Sequence, residues 1–195
     1  EILSLVEGVT KLDKLQFNNR EEAQAENFRK LFMALARDLR VIIIKLADRL
    51  HNMRSLEYLP PEKQQYISKE TLDIYAPLAG RLGISFFKCE LEDLAMKYLY
   101  PAEYEDIVSR TQEIRRQSQV FLEQICNTLT EELKNLGIHG EVNGRPKHYY
   151  SILKKIRKAN IDIDQVYDLL AVRIITDSVK DCYTLLGLVH NLWKP

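Results

Sequence analysis

The amino-acid sequence predicts a mainly α-helical N-terminal domain followed by the start of an α/β domain. Up to about residue 110, apolar residues recur at helical spacing in Leu-, Ala- and Glu-rich segments that prolines separate. From residue 138 the pattern changes, because IHGEVNGR alternates apolar and polar residues and VYDLLAVRIIT is an apolar run rich in β-branched residues. Strand and helix patterns then alternate, which predicts a sheet of more than two strands, only part of which lies in this chain.

The N-terminal part is predicted to consist of helices that proline and glycine residues end. EEAQAENFRKLFMALARDL keeps its Phe and Leu residues at a 3.6-type spacing, and Arg40–Leu56 is expected to continue as helix after a short break. Proline ends or bends a helix, and glycine readily adopts the left-handed conformation that follows a helix end. Helices are therefore expected over residues 21–59, from Pro61 to Gly83 with a bend at Pro77, over 90–99 before Pro101, and over 103–136 before Gly137.

The C-terminal part is predicted to alternate strands and helices. The expected order is a strand over 138–145, ending in the turn signal Asn143-Gly144, a helix over 148–159, a buried strand over 166–176 and a helix over 179–192. These elements divide the chain into a helical domain (1–110), a connecting helix (111–137) and the start of the α/β domain (138–195).

Composition is typical of a soluble globular protein, with 46% hydrophobic and 29% charged residues. The formal net charge is zero, so no global field holds the chain on DNA or an acidic membrane, and any anion binding must come from local clusters. The longest apolar run, Val41–Ile44, is far below the ~18 residues of a membrane span, and nothing resembles a signal peptide. Cys89, Cys126 and Cys182 are odd in number and widely separated, which favours reduced, structural thiols in a cytosolic protein.

A polar stripe follows the apolar run Val41–Ile44. Successive spacings of three, four, three and four residues place one set of side chains on a single helix face. We expect a helix entered by a wholly apolar turn to be buried on several sides, and a buried carboxylate must be paired or bind a metal. The alternative is a solvated face on which the carboxylate pairs with a neighbouring cation. The stripe consists of Lys45, Asp48, Asn52, Ser55 and Leu59.

A basic cluster lies at the predicted junction of the first strand and the following helix. Amide groups at a helix start favour an anion, so this junction predicts a polyphosphate cradle, although it lacks the GxxxxGK[ST] pattern. Asp168 precedes the apolar strand and Arg173 follows within it, and a carboxylate beside a phosphate cradle suits a Mg²⁺–nucleotide site. A loop that is basic for solubility and an exposed turn carboxylate remain as alternatives. The cluster consists of Gly144, Arg145, Lys147, His148, Ser151, Lys154 and Lys155.

Several long motifs resemble those of one enzyme family. KLADRLHNMRSL, ETLDIYAPLAGRLGI and ELEDLAMKYLYP are similar to the hydrolase domain of the RelA/SpoT family, which belongs to the HD superfamily. GRPKHYYSILKKI, YDLLAVRIIT and LLGLVHNLWKP resemble the opening of that family's nucleotidyltransferase-like synthetase domain.

The resemblance implies a cytoplasmic, bifunctional enzyme of the stringent response. Its hydrolase half removes the 3′-pyrophosphate of ppGpp and pppGpp with Mn²⁺, and its synthetase half transfers pyrophosphate from ATP to GTP or GDP with Mg²⁺. Contact with the ribosome would belong to the full-length parent, and neither DNA nor a membrane is an expected partner.

The resemblance also assigns roles to residues of this chain. It implies that Asp48 is a ligand of the hydrolase Mn²⁺ and that Asp168 is a ligand of the synthetase Mg²⁺. Arg145 and Lys147 match contacts to the ATP phosphates. The remaining matches are Asn52, Ser55, Leu59 and Lys45 for the hydrolase nucleotide pocket, and Ser151, Lys155 and Arg173 for the synthetase site.

Parts of both sites are expected outside this chain. The family's other hydrolase ligands and its catalytic Glu-Asp pair are expected before residue 1, and its guanine-stacking tyrosine and second synthetase carboxylate after residue 195. We therefore expect the chain alone to catalyse neither reaction. The intact Ala47–Asn52 segment favours a working hydrolase in the parent.

Two other function classes stay open. One is a non-catalytic module that binds guanine nucleotide or alarmone through decayed sites. The other is an unrelated all-α HD-like phosphodiesterase, which the GRPKH and YDLLAVR segments disfavour because such an enzyme needs no appended phosphate cradle.

Overall fold

The computed structural model describes residues 38–193 and divides the chain into two compact units, residues 1–101 and 102–195. The helix predicted over residues 21–37 lies outside the described residues. The predicted domain bounds at 110 and 137 stay a prediction.

The first unit is helical throughout its described part, as its sequence pattern predicts. Asp38 begins the first helix, because its carboxylate accepts a hydrogen bond from the Arg40 amide at 2.9 Å. Pro61 occupies the first turn of the second helix, and Gly83, at φ +75°, follows the end of the third. The elements are α1 (Leu39–Arg54), a 3₁₀ turn (Leu56–Tyr58), α2 (Pro61–Glu70), a π-helical turn (Thr71–Tyr75), α3 (Ala76–Arg81) and α4 (Ser85–Leu99).

One face of α1 packs into the core of this unit. That core combines residues of α1 with residues of the 3₁₀ turn, the π turn, α3 and α4. The expectation that α1 is buried on several sides, because its entry is wholly apolar, is wrong at the entry itself: Val41 and Ile42 are buried, whereas Ile43 and Ile44 are 41% and 43% exposed. Successive helical residues point about 100° apart, so four consecutive side chains cannot all face one core.

The second unit begins with a long helix and continues with strands and helices in alternation. Gly137, at φ +64°, follows the long helix as predicted. The elements are α5 (Pro101–Asn135), β1 (Gly140–Pro146), α6 (Tyr149–Ala159), a 3₁₀ turn (Ile163–Gln165), β2 (Leu170–Thr176) and α7 (Val179–Leu192).

The two described strands pair antiparallel, from Gly140 opposite Thr176 to Pro146 opposite Leu170. The prediction of a buried strand over 166–176 is wrong in extent and in burial. A 3₁₀ turn that begins with a capping box at Asp162 occupies residues 163–165, and β2 starts only at Leu170. Half-buried and exposed residues alternate along β2. Helix α5 packs on one face of this pair, and the other face is exposed, which is common for antiparallel strands.

In the described part of the chain, no helix combines the length and the hydropathy needed to cross a bilayer.

Candidate functional sites

The polar stripe of α1 lines a cavity of about 550 Å³ in the first unit. All five stripe residues contribute to it. Their spacing keeps Lys45, Asp48 and Asn52 on one face of α1, Ser55 caps the end of that helix, and Leu59 follows the 3₁₀ turn. Residues of α2 and the π turn form its opposite wall. The remaining lining residues are Arg49, Leu56, Tyr58, Ile67, Glu70 and Tyr75.

Asp48 presents an accessible carboxylate to this cavity. Its side chain is 53% exposed, and the Lys45 ammonium lies 3.9 Å from its Oδ2. That distance is an ion pair without a hydrogen bond. Lys45 itself is buried, so a positive charge lies at the base of the cavity. The arrangement lies between the two alternatives left by the sequence, because the carboxylate is neither buried nor tightly paired.

Arg49 pairs with a carboxylate of another helix. Its Nη2 binds Glu70 Oε2 at 2.7 Å, with both side chains 15% exposed, and its guanidinium lies 4.1 Å from the centre of the Tyr75 ring. Burial acts to lower the pKa of Arg49, but the interactions with Tyr75 and Glu70 outweigh it and raise that pKa. Glu70 and Tyr75 were not predicted for this site, because the spacing of residues within α1 gives no sign of contacts with residues more than twenty positions away.

The second unit brings Asp168 together with two lysines of the predicted cradle. Lys147, in the β1–α6 junction, donates to Asp168 Oδ2, and Lys155 of α6 donates to Oδ1 at 2.6 Å. These hydrogen bonds, first from Lys147 and then from Lys155, lower the pKa of Asp168 to about 2. Asp168 and these two lysines therefore form one charged cluster, and its role as a phosphate cradle stays a prediction.

Arg145, Ser151 and Arg173, which were also predicted for this site, lie on β1, α6 and β2. Arg145 pairs with Ala171 and Arg173 pairs with Asn143, so both arginines occupy the same exposed face of the strand pair. Ser151 is half-buried in the first turn of α6. Within residues 38–193, no hydrogen bond or ion pair links Arg145, Ser151 or Arg173 to Asp168.

One further residue at this junction was missed by the sequence analysis. Arg115 of α5 donates from Nη2 to the Lys147 carbonyl at 2.8 Å and from Nη1 to the Tyr149 hydroxyl at 3.1 Å. Nothing in the local pattern of a long amphipathic helix distinguishes this arginine from its neighbours.

The oxygen donors of both sites suit a hard divalent cation but form partial ligand sets. No group of three His, Cys, Asp or Glu side chains capable of holding a metal ion occurs in the described part of the chain. Asp48 and Asn52 supply a carboxylate and an amide to the cavity, and Asp168 supplies a carboxylate that two ammonium groups already neutralise.

Comparisons with known families match both parts of the chain. Residues 1–85 match a family described as "HD domain", and residues 144–195 match one described as "Region found in RelA / SpoT proteins".

Curated relatives align over the whole chain. The chain is 50% identical to a protein named "GTP pyrophosphokinase" from Myxococcus xanthus. It is 52% identical to a "Probable guanosine-3′,5′-bis(diphosphate) 3′-pyrophosphohydrolase" from Synechocystis. Each alignment covers 100% of this chain and 26% of the relative. Identity to the "Bifunctional (p)ppGpp synthase/hydrolase SpoT" of Escherichia coli is 46%, covering 100% of this chain and 28% of that protein. The chain thus spans about a quarter of the length of these relatives.

Proposed function

Because this chain belongs to the RelA/SpoT family, we propose that it forms part of a bifunctional enzyme that hydrolyses and synthesises guanosine tetra- and pentaphosphate. The hydrolase reaction removes the 3′-pyrophosphate of ppGpp and pppGpp. The synthetase reaction transfers pyrophosphate from ATP to GTP or GDP. A cytoplasmic location, and contact of the full-length parent with the ribosome, are part of the same proposal.

The hydrolase half of the proposal rests on the cavity of about 550 Å³ in the first unit. A cavity of this size is within the range of small-molecule sites. Asp48 and Asn52 face it with oxygen donors, and Lys45 places a buried positive charge where a phosphate group would lie. Ser55 and Leu59 supply a polar and an apolar wall for the nucleoside.

HD-domain membership implies a divalent metal in this half, and we propose Mn²⁺ with Asp48 as one of its ligands. Bound metal would polarise a phosphoryl oxygen and activate water. The chain's own residues would bind and orient the substrate: Lys45 would hold phosphate charge, and Asn52 would hold the nucleoside by hydrogen bonds.

The synthetase half rests on the junction of β1 and α6. Lys147 and Lys155 lie at hydrogen-bond distance from Asp168, so two cations and one carboxylate already share a small volume. We propose that Lys147 and Arg145 bind the ATP phosphates and that Asp168 is one ligand of Mg²⁺, with Ser151, Lys155 and Arg173 in supporting contacts. Mg²⁺ typically combines one or two carboxylates with phosphate oxygens, which agrees with this set.

Asp48→Ala in the full-length parent tests the hydrolase assignment. Loss of a metal ligand is expected to lower Mn²⁺-dependent hydrolysis of guanosine tetraphosphate by more than the ~10- to 100-fold typical of outer-sphere partners. Synthesis from ATP and GDP by the same variant should stay within about twofold, because Asp168 and its lysines are untouched. Release of pyrophosphate and formation of product measure the two reactions.

Asp106→Ala is the matched control, since Asp106 is also a half-exposed helical carboxylate, with Arg110 Nη1 at 3.7 Å. It should leave hydrolysis unchanged. Hydrolysis by Asp48→Ala at the parent's rate would contradict the ligand assignment. A parent that binds guanosine tetraphosphate without releasing pyrophosphate would instead support the non-catalytic binding module.

A further inference from the structure

Lys147 lies in a short connection between β1 and α6, so its position depends on contacts from outside that connection. Its amide donates to the Leu169 carbonyl at 2.9 Å, which ties it to the residue after Asp168. Its own carbonyl accepts the hydrogen bond from Arg115 Nη2 at 2.8 Å. The backbone of Lys147 is therefore held on one side by the approach to β2 and on the other by α5.

Arg115 also holds the start of α6. Its Nη1 donates to the Tyr149 hydroxyl at 3.1 Å, and its guanidinium lies 4.7 Å from the centre of the same ring. The Tyr149 ring in turn packs edge-on against Tyr104 of α5, with ring centres 5.9 Å apart. The Arg115 side chain thus contacts both Lys147, in the connection before α6, and Tyr149, the first residue of α6.

The contacts of Arg115 differ from those of the neighbouring arginines of α5. Arg110 pairs with three carboxylates, and Arg116 pairs with Glu113 at 3.0 Å. Arg115 instead binds a carbonyl and a tyrosine, so its placement serves the junction and not an ion pair. A guanidinium suits this role because its donors form a rigid planar fork that can satisfy two acceptors at once.

We propose that Arg115 is a positioning residue of the synthetase site, which acts through Lys147 to set the cradle for the ATP phosphates. The inference rests on the proposed synthetase function and adds a residue on a different element. Arg115 would not touch the nucleotide. It would fix the Lys147 backbone, and hence the origin of its side chain, at the distance from Asp168 that phosphate binding requires.

Arg115→Ala in the full-length parent tests the inference. We expect kcat/KM for ATP in synthesis to fall by about 10- to 100-fold, mainly through a higher KM for ATP, because the cradle is displaced. Hydrolysis of guanosine tetraphosphate by the same preparation should stay within about twofold of the parent, because its proposed residues lie in the first unit. Arg116→Ala, one position along the helix and 77% exposed, should leave both reactions unchanged.

A double-mutant cycle with Lys147→Ala separates positioning from a general structural role. If Arg115 acts through Lys147, the double variant should synthesise product at a rate less than about threefold below that of Lys147→Ala alone. Arg115→Lys, which keeps the charge but reaches only one acceptor, should give an intermediate KM for ATP. This conservative variant also provides the test if Arg115→Ala fails to fold.

The possible outcomes are distinct. An unchanged KM for ATP in Arg115→Ala would overturn the inference. So would an Arg115→Ala substitution that lowers synthesis equally in the presence and in the absence of the Lys147 side chain. Both outcomes leave the proposed function standing. An equal loss of hydrolysis and synthesis would also overturn it, because it would indicate a general effect on folding. No synthesis by the unsubstituted parent would overturn the proposed function, and the inference with it.

Discussion

At the scale of single residues, Asp168 shows how a charged cluster can be stable before any ligand arrives. Two ammonium groups bind its two oxygens, so the carboxylate is neutralised within the protein. A cation that binds Asp168 must displace the ammonium groups of these lysines. Phosphate groups would then neutralise the positive charge of the displaced lysines. Under the proposed function, this exchange of partners would let the cluster bind a cation and a polyphosphate together.

Lysine removal should raise the pKa of Asp168. That pKa lies at about 2, with the Lys147 hydrogen bond as the larger cause and Lys155 as the next. We expect Lys147→Ala to raise it further toward the ordinary value of about 3.9 than Lys155→Ala does. Carboxyl carbon chemical shifts followed through an acid titration measure the pKa directly. Lys158→Ala on the same helix is the control and should leave the titration unchanged.

The sign of the stability effect follows from the lowered pKa. The folded-state pKa lies below the unfolded value, so pairing stabilises the fold fully above about pH 4, and that contribution is lost as pH falls through about 2. Asp168 is 53% exposed, so solvent screening reduces the contribution to about 1 kcal/mol or less. A titration midpoint near 4 in the unsubstituted protein would contradict the paired geometry.

At the scale of elements, β1 depends on glycine where helix α5 and strand β2 approach it closely. A Cβ on Gly140 would lie 2.8 Å from the Ile175 carbonyl oxygen and 2.8 Å from Leu133 Cδ2. A Cβ on Gly144 would lie 2.8 Å from Leu122 Cδ2. Neither glycine has a positive φ. At Gly140 the requirement comes from a backbone carbonyl, whereas the end of the Leu122 side chain can move away from a Cβ on Gly144.

Gly140→Ala should therefore destabilise the second unit by about 1–3 kcal/mol, because the backbone carbonyl opposite cannot move aside as a side chain can. Urea unfolding followed by circular dichroism measures the change. Gly187→Ala is the matched control, since a Cβ there meets nothing within 4 Å in α7. It should stabilise the helix by about 0.5–1 kcal/mol. Equal stabilities of the two variants would contradict the close approach.

In the first unit, the π-helical turn places a side chain at the wall of the cavity. It lies between α2 and α3 and carries Tyr75, which contacts Arg49 at the wall of the cavity. Such turns often occur at functional sites, because one extra residue in a turn redirects the side chains that follow. The Arg49–Glu70 pair then joins α1 to α2 across that wall.

At the scale of the whole molecule, each compact unit carries one candidate site. The cavity lies in residues 1–101, and the cradle lies in residues 102–195. A substitution in one unit is therefore expected to affect one reaction of the full-length parent and spare the other. This separation is the basis of the internal controls used for Asp48 and Arg115.

The isolated 195-residue chain is expected to turn over neither substrate measurably. It spans about a quarter of the length of its relatives. Release of pyrophosphate from guanosine tetraphosphate with Mn²⁺, and product formation from ATP and GDP with Mg²⁺, measure this with the full-length parent as the reference. Measurable turnover of either substrate by the isolated chain would contradict the expectation.

The sequence alone predicted most helices, the proline and glycine positions that end them, and the helical stripe from Lys45 to Ser55. These features depend on local periodicity and backbone preference, which a single chain segment determines. The motifs around Asp48 and Asp168 also indicated the family before any geometry was known.

Tertiary structure decided the features that depend on residues far apart in sequence. It assigned Arg49 to Glu70, exposed Ile43 and Ile44 where burial was predicted, and shortened β2 behind a 3₁₀ turn. It also placed Arg115 against Lys147. Burial and pairing depend on which surfaces meet after folding, and periodicity within one segment cannot specify the partner that another segment presents.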